Sequence, residues 1–243
     1  MSELSNYIDE YLKTEYTLKS TLKDSVQSSV YLYQKNDSAK QIVKISQKNR
    51  NDHVLRRLRG QHHKNTATIY EVCSNDDDVT VLEEYISGAT LRHIVEANGG
   101  TLKRELAVKY ALDICNGLVF IHSLGIIHRD IKPSNIIITE HGEAVIIDFG
   151  IARLTDDSKY ADTKNLGTAG YAAPEQFGIY QSGPVTDIYA VGVLLNELLL
   201  GVHPTIDTPK GKLGKVINKC IMAQMSKRYQ NVSELAEVLN KLL

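Results

Sequence analysis

Cysteine is scarce in this 243-residue chain: Cys73, Cys115 and Cys220 stand far apart, with no Cys-x-x-Cys pair. That speaks against a disulfide framework and against a zinc site, and it suits a reducing, cytoplasmic setting. Net charge is equally scant, −1 from 28 basic and 29 acidic residues. No overall field therefore argues for nucleic acid or an anionic membrane as partner, and any acidic ligand must be met locally. Long hydrophobic runs are missing too. The N-terminus MSELSNYIDEYLK has no apolar signal core, and the greasiest stretch, YAVGVLLNELLLG at 189–201, is short and interrupted by Asn196 and Glu197. These absences predict a chain that is neither exported nor inserted into a membrane. No repeat, low-complexity tract or linker breaks the sequence.

What is present is an ordinary apolar fraction of 42% and two textures. YTLKSTL, SSVYLYQK, AKQIVKIS, ATIYEVCS and VTVLEEYI are short, rich in Val, Ile, Thr and Tyr, and separated by polar turns, which predicts strands. Among them only NDHVLRRLRG is helical in pattern, with Val54, Leu55 and Leu58 on one face. Beyond SGAT the period changes. Thr101 is an expected N-cap for a long helix marked by Leu102, Leu106, Tyr110, Ile114, Leu118 and Ile121. Further helices are predicted at TDIYAVGVLLNELLLG, closed by Gly201, at LGKVINKCIMAQM, and at NVSELAEVLNKLL, opened by an Asn231 and Glu234 capping pair. The pattern is a small mainly β region, then a larger mainly α region, joined near residues 84–88.

The chemistry concentrates in IIHRDIKPSNIII at 126–138, where His128, Arg129, Asp130, Lys132 and Asn135 stand between isoleucine runs. Burying ionisable groups costs several kcal/mol unless they are paired or do chemistry. AVIIDFG places a second aspartate, Asp148, at the end of the next apolar strand. Two carboxylates, an amide and a lysine suit holding magnesium and neutralising phosphate oxygens. A turn aspartate with a structural ion pair would explain HRD or DFG alone. Together, in this order, they favour the phosphate site.

HRDIKPSN, DFG and GTAGYAAPEQ resemble the catalytic loop, metal-binding motif and substrate-loop end of the eukaryotic-type (Hanks-type) serine/threonine protein kinases, bacterial branch, over essentially the whole chain. The resemblance implies an α+β, two-lobed fold: an N-lobe over about 14–85, a C-lobe over 86–243, and a helical extension at 1–13. It implies transfer of the γ-phosphate of ATP to protein hydroxyls, with magnesium, or manganese in its place, as cofactor. Asp130 would orient the attacking hydroxyl, Lys132 would sit on the transferring phosphate, and Asn135 and Asp148 would hold the metal. Lys44 would grip the α- and β-phosphates. Adenine would pair with the carbonyl of Glu84 and the amide of Ile86, between Val30, Ile42 and Ile137. All four of Lys44, Asp130, Asn135 and Asp148 are expected around one metal-bound triphosphate. Glu175 would pair with Arg228, and Asp187 would tie its helix to the catalytic loop. His128 is expected as a packed scaffold histidine, because the neighbouring carboxylate suits the hydroxyl better.

Departures from the family matter as much. At the three glycine positions of the phosphate loop stand Lys23, Ser25 and Ser28. Glycine lets backbone amides approach phosphate closely, so this lid should differ in shape. Ser25, Ser28 and Lys23 would touch phosphate with side chains, or the stretch forms a plain hairpin turn. The helix after Lys44 lacks its glutamate, with Asp52 the only nearby acid. Glu83, just before the hinge, is the expected substitute partner of Lys44, unless a shifted register turns it away. Ile42, where a small residue is usual, should narrow the adenine slot.

Arg129 is an expected partner for a phosphate on the 151–170 segment, with Thr163 as first candidate and Thr168 bracing Asp130 and Lys132. Three function classes remain open: an active kinase that also phosphorylates itself, a pseudokinase scaffold with residual nucleotide affinity, and a small-molecule phosphotransferase. Protein substrates, and an activating partner or self-association, are the expected company; nucleic acid and membrane insertion are not.

Overall fold

The computed structural model describes residues 3–25, 28–48, 52–74, 78–156, 167–177 and 181–243. Contacts group the chain into two compact units, residues 1–63 with 67–86, and residues 64–66 with 87–243.

The first unit comprises α1 (Glu3–Glu15), β1 (Tyr16–Asp24), β2 (Ser28–Lys35), β3 (Gln41–Lys48), α2 (Asp52–Leu58), β4 (Ile69–Ser74) and β5 (Asp78–Glu84). Its five strands form one antiparallel sheet in the order β1-β2-β3-β5-β4. Opposed residues of an antiparallel ladder project to the same side, and neighbours along a strand alternate. One face therefore carries Tyr33, Ile42, Lys44 and Leu82, since Tyr33 opposes Ile42 and Leu82 opposes Lys44. Here Ile8 and Leu12 of α1 and Tyr16 at the start of β1 bury themselves with Ile42, Leu82 and Cys73. The other face carries Val30, Leu32, Val43, Ile45, Val79, Val81 and Glu83. Ser74 opposes Val79 on this side and bonds to Asp52 at 3.0 Å and Arg56 at 2.8 Å, so α2, with Val54, Leu55 and Leu58 buried, belongs to it. The sheet thus has a different helix on each face. A bulge between Thr21 and Lys23 shifts the register of β1, so that Lys23 opposes Val30.

Weighing terms decides what docks α1. A buried Ile or Leu is worth about 1.5–3 kcal/mol, whereas the ion pair of Asp9 with Lys44, whose carboxylate side is 36% exposed, belongs to the class worth about 0–1 kcal/mol. Ile8 and Leu12 hold the helix. Asp9 aims the lysine.

The second unit follows with β6 (Gly88–Thr90), α3 (Leu91–Ala97), α4 (Arg104–Ser123), β7 (Ile126–Ile127), β8 (Ile136–Thr139), β9 (Ala144–Ile146), β10 (Arg153–Leu154), α5 (Pro184–Leu200), α6 (Lys212–Cys220) and α7 (Val232–Asn240). Strands β6, β8 and β9 form a small sheet, and β7 pairs with β10. Helix α4 buries Tyr110, Ile114, Leu118 and Ile121, as its periodicity predicts. Its start differs from expectation. The Leu102 amide bonds to Leu198 O at 2.7 Å and Lys103 stays extended, so the helix opens at Arg104 and Thr101 is not its cap. Helix α5 ends on Gly201 at φ +68°, a left-handed terminus that glycine adopts readily. Asn231 caps α7 by accepting from the Glu234 amide at 2.9 Å. Helix α6 stops at Cys220, short of the predicted end. Helix α3, capped by the Thr90 hydroxyl on the His93 amide, was not foreseen. No helix among the described residues is long and apolar enough to cross a membrane.

Candidate active site

Asp130, Lys132, Asn135 and Thr168 converge in the second unit. Asp130 Oδ1 accepts from the Thr168 hydroxyl at 2.8 Å, and Oδ2 accepts from Lys132 Nζ at 2.6 Å and Asn135 Nδ2 at 2.9 Å. Lys132 Nζ also donates to Thr168 Oγ1 at 2.7 Å, and Asn135 Nδ2 to Asp130 O at 3.0 Å. Asn135 ends a 3-10 turn, Pro133–Asn135, that leads straight into β8. Its carbonyl accepts from the Ile147 amide at 2.9 Å, which sets Asp148 beside the loop. Asp148 itself is exposed, takes φ +66° and accepts from the Gly150 amide at 3.0 Å.

The loop is held in a conformation it would not choose. Arg129 has φ +70°, uncommon for a residue with a side chain and worth about 1–3 kcal/mol of strain. Asp187, fully buried in the first turn of α5, fixes it: Oδ1 accepts from the Arg129 amide at 2.7 Å and Oδ2 from the His128 amide at 2.9 Å, with His122 Nε2 2.8 Å from Oδ2. Gln176 Nε2 adds a bond to Arg129 O at 3.0 Å. Burial alone would push the Asp187 carboxyl up. The His122 hydrogen bond, the charges of His122 and His128 and the Arg129 amide reverse that, holding it below the usual carboxylate range. Asp187 ties its helix to the loop as expected. His122 was not foreseen, for nothing local in FIHSLG marks a histidine that finds an acid 65 residues away.

His128 is a scaffold residue. Its ring meets Phe149 edge-on at 5.3 Å, and Nδ1 accepts from the Asp130 amide at 3.3 Å. Burial pushes its pKa down, outweighing the carboxylates of Asp187, Asp148 and Asp130. A histidine depressed in the folded state contributes stability that is present above its unfolded value of about 6.5 and lost as pH falls towards and through the folded one. Calorimetric Tm should therefore drop between about pH 7 and pH 5, and His128→Phe should flatten that drop; unchanged slopes would place the titrating group elsewhere.

Below the loop, Glu175 and Arg228 pair bidentately at 2.7 and 2.9 Å. Arg228 also donates to Met222 O, and Thr186 Oγ1 to Glu175 Oε1. A cavity of about 470 Å³ adjoins Lys132 and Thr168, with Arg92, Glu96, Tyr171 and Glu197 among its walls. Tyr171 donates to Glu197 there, and burial first, then that hydrogen bond and the Glu197 charge, push the phenol far up.

The first unit corrects several expectations. Lys44 Nζ lies 2.5 Å from Asp9 Oδ1, not against Glu83. Lys44 opposes Leu82 and Glu83 opposes Val43, so pleat alternation puts the two side chains on opposite faces. Ile42 and Val30 cannot sandwich one base for the same reason: Val30 opposes Ile45, three residues from Ile42, and Ile42 is 1% exposed in the α1 cluster. Asp52 is engaged by Arg56 and Ser74. Ser25 and Ser28 close a turn on each other, the Ser25 amide and hydroxyl both donating to Ser28 O. Glu84 brackets Thr68 through its amide and carboxylate, Ile86 is half-buried, and Ile137 is half-buried on β8. Thr163 lies outside the described residues.

The protein kinase domain family matches residues 15–243. A probable serine/threonine-protein kinase of Clostridium perfringens is 32% identical over 235 residues, 84% of this chain and 34% of its own. Serine/threonine-protein kinase PknB of Mycolicibacterium smegmatis is 40% identical over 133 residues, 53% of this chain and 21% of its own. Calmodulin-binding receptor-like cytoplasmic kinase 2 of Arabidopsis thaliana is 36% identical over 162 residues, 63% and 39%. The chain spans about a third of the length of the clostridial relatives it matches, at 34% and 31%. With its catalytic-loop residues gathered as described and the family matched over nearly its full length, the chain belongs to the protein kinase domain family.

Proposed function

We propose that this chain is a serine/threonine protein kinase that transfers the γ-phosphoryl group of ATP to a protein hydroxyl. The observation that carries the reading is Asp130, a carboxylate held by Lys132, Asn135 and Thr168 yet still partly open. The acceptor hydroxyl donates its proton to Asp130 as its oxygen bonds to the γ-phosphorus, the bond to the β–γ bridging oxygen breaks, and ADP leaves. Lys132, fixed between Asp130 and Thr168, meets the charge on the transferring group. The cavity beside Lys132 accommodates the acceptor segment of a polypeptide.

Magnesium fits the donors present. Asn135 Nδ2 is committed to Asp130, which turns Oδ1 away with only a 3.5 Å contact from Ser134, and Asp148 offers an exposed carboxylate alongside. Two hard oxygen ligands suit an ion that keeps water and substrate phosphate for its remaining positions. Once bound there it would neutralise phosphate charge. Glu84 carbonyl, Ile86 amide, Val30 and Ile137 remain the proposed adenine contacts. The three buried, unpaired cysteines accord with action in the cytoplasm.

A second reading, a nucleotide-binding scaffold, draws on Lys44 being committed to Asp9 and on the serine-closed turn. Incubation with γ-labelled ATP and magnesium, followed by phosphoamino-acid analysis, separates them. Label on serine or threonine is expected; none on any protein hydroxyl overturns the kinase reading, and label on sugars or choline would assign a small-molecule acceptor.

A further inference from the structure

The near-zero net charge of the chain hides one local excess. Between Asp207 and Glu234 the sequence holds no acidic residue, yet it carries Lys210, Lys212, Lys215, Lys219, Lys227 and Arg228. Of these cations only Arg228 is buried, against Glu175. Lys212, Lys215 and Lys219 stand on α6 at steps of three and four residues, which puts them on one face. The opposite face is buried through Leu213, Val216, Ile217 and Cys220. Besides the lysines, α6 exposes only Asn218.

Like charges at such steps repel one another, and other helices of this chain avoid the arrangement. Helices α2, α3 and α4 each give a cation an acid four residues away, in Arg56 with Asp52, Arg92 with Glu96 and Lys109 with Asp113. Among the described residues no acid pairs with Lys210, Lys212, Lys215 or Lys219. The row is also held in place. Lys219 Nζ stands 4.0 Å over the Tyr229 ring, an attraction that restrains a side chain otherwise free to rotate. Helix α6 backs onto α5 so closely that a Cβ at Gly192 would meet Cys220 Cβ at 2.5 Å. A charge array ordered in advance loses less entropy on binding than a floppy one.

We propose that this lysine face of α6 docks an acidic stretch of the substrate protein. The inference rests on the kinase reading, because it names what the substrate carries apart from its acceptor hydroxyl. From Lys212 to Lys219 the helix advances about 10 Å, the reach of about three residues of extended chain. A short run of Asp or Glu therefore matches the row one carboxylate to one ammonium. The face presents no arginine fork and no exposed aromatic ring, the groups that grip nucleic-acid backbones and stack on bases. Its apolar residues are committed inside the fold, so none is left to enter a bilayer.

The test is fluorescence anisotropy of the full chain with a labelled peptide of about six Glu and Asp residues, beside its Gln and Asn counterpart. Only the acidic peptide should bind, and raising salt from about 0.1 M to about 1 M should abolish binding as the screening length shrinks. Lys212→Glu with Lys215→Glu should raise Kd at least about tenfold, while Lys212→Arg with Lys215→Arg should keep it within about twofold. Appending the acidic run to a serine peptide should lower its KM for the wild type but not for the charge-reversed variant, with kcat alike in both. Acidic-peptide binding untouched by the reversal overturns the inference and leaves the kinase reading standing. Tighter, reversal-sensitive binding to phosphatidylserine vesicles or to a single-stranded oligonucleotide overturns it as well. Peptide that docks by anisotropy while no peptide accepts phosphate would instead overturn the kinase reading.

Discussion

Asp130→Asn is expected to slow phosphoryl transfer by about 10²–10⁴-fold, the range for losing a positioned general base, with Tm within a few degrees of the wild type. The three donors now converging on the carboxylate explain both halves of that expectation. An asparagine can still accept from Thr168 through its remaining oxygen, so the loop stays folded. Its amide nitrogen, however, presents hydrogens to Lys132 Nζ or Asn135 Nδ2, both donors, and neither can answer. Lys132 loses the charge that holds it, and the acceptor hydroxyl loses the only carboxylate in the cluster. The measurement is the initial rate of label transfer at saturating Mg-ATP. A rate within about tenfold of the wild type would remove Asp130 from the reaction.

Arg228→Ala should produce the largest loss of stability. Arg228 is 2% exposed and Glu175 3%, so the truncation leaves a carboxylate buried with only the Thr186 hydroxyl to bond it, and also frees the carbonyls of Met222 and Val185. Breaking one side of such a pair costs about 3–5 kcal/mol. At about 2–4 °C per kcal/mol for a domain of this size, Tm should fall by roughly 10 °C. The double replacement of Arg228 by Met and Glu175 by Gln removes both charges and should lose clearly less than the sum of the single losses. Strict additivity in calorimetry would show that the pair is not what holds the segment after Thr168 to α5.

Why the site was legible in the sequence follows from how local it is. Asp130, Lys132 and Asn135 fall within six positions, so a single turn at Pro133 brings them together, and the isoleucines on both sides announce the strands that anchor it. Asp187 and the Glu175–Arg228 pair were placed by resemblance, since nothing in their spacing joins residues 53 or 58 positions apart. The first unit resisted for a different reason. Its strands alternate weakly: KSTLKD is polar on both sides, and QIVKIS has isoleucine or valine around its lysine on both faces, so the period of two gives no direction. A register offset of one residue reverses every side chain. That offset, set by the pairing of β3 with β5 and of β2 with β3, separated Lys44 from Glu83 and Ile42 from Val30. Asp9 gave no signal at all, because its partner lies 35 residues downstream and α1 docks by Ile8 and Leu12.

The family's boundary and the folding boundary do not coincide. The match begins at residue 15, whereas α1 ends there and supplies Ile8 and Leu12 to the cluster over Ile42 and Leu82. Trimming the protein to the shared homology would strip one side of its sheet down to bare isoleucine, leucine and tyrosine, a surface prone to stick to its own copies. Evolutionary kinship and thermodynamic self-sufficiency thus draw different edges on the same polypeptide.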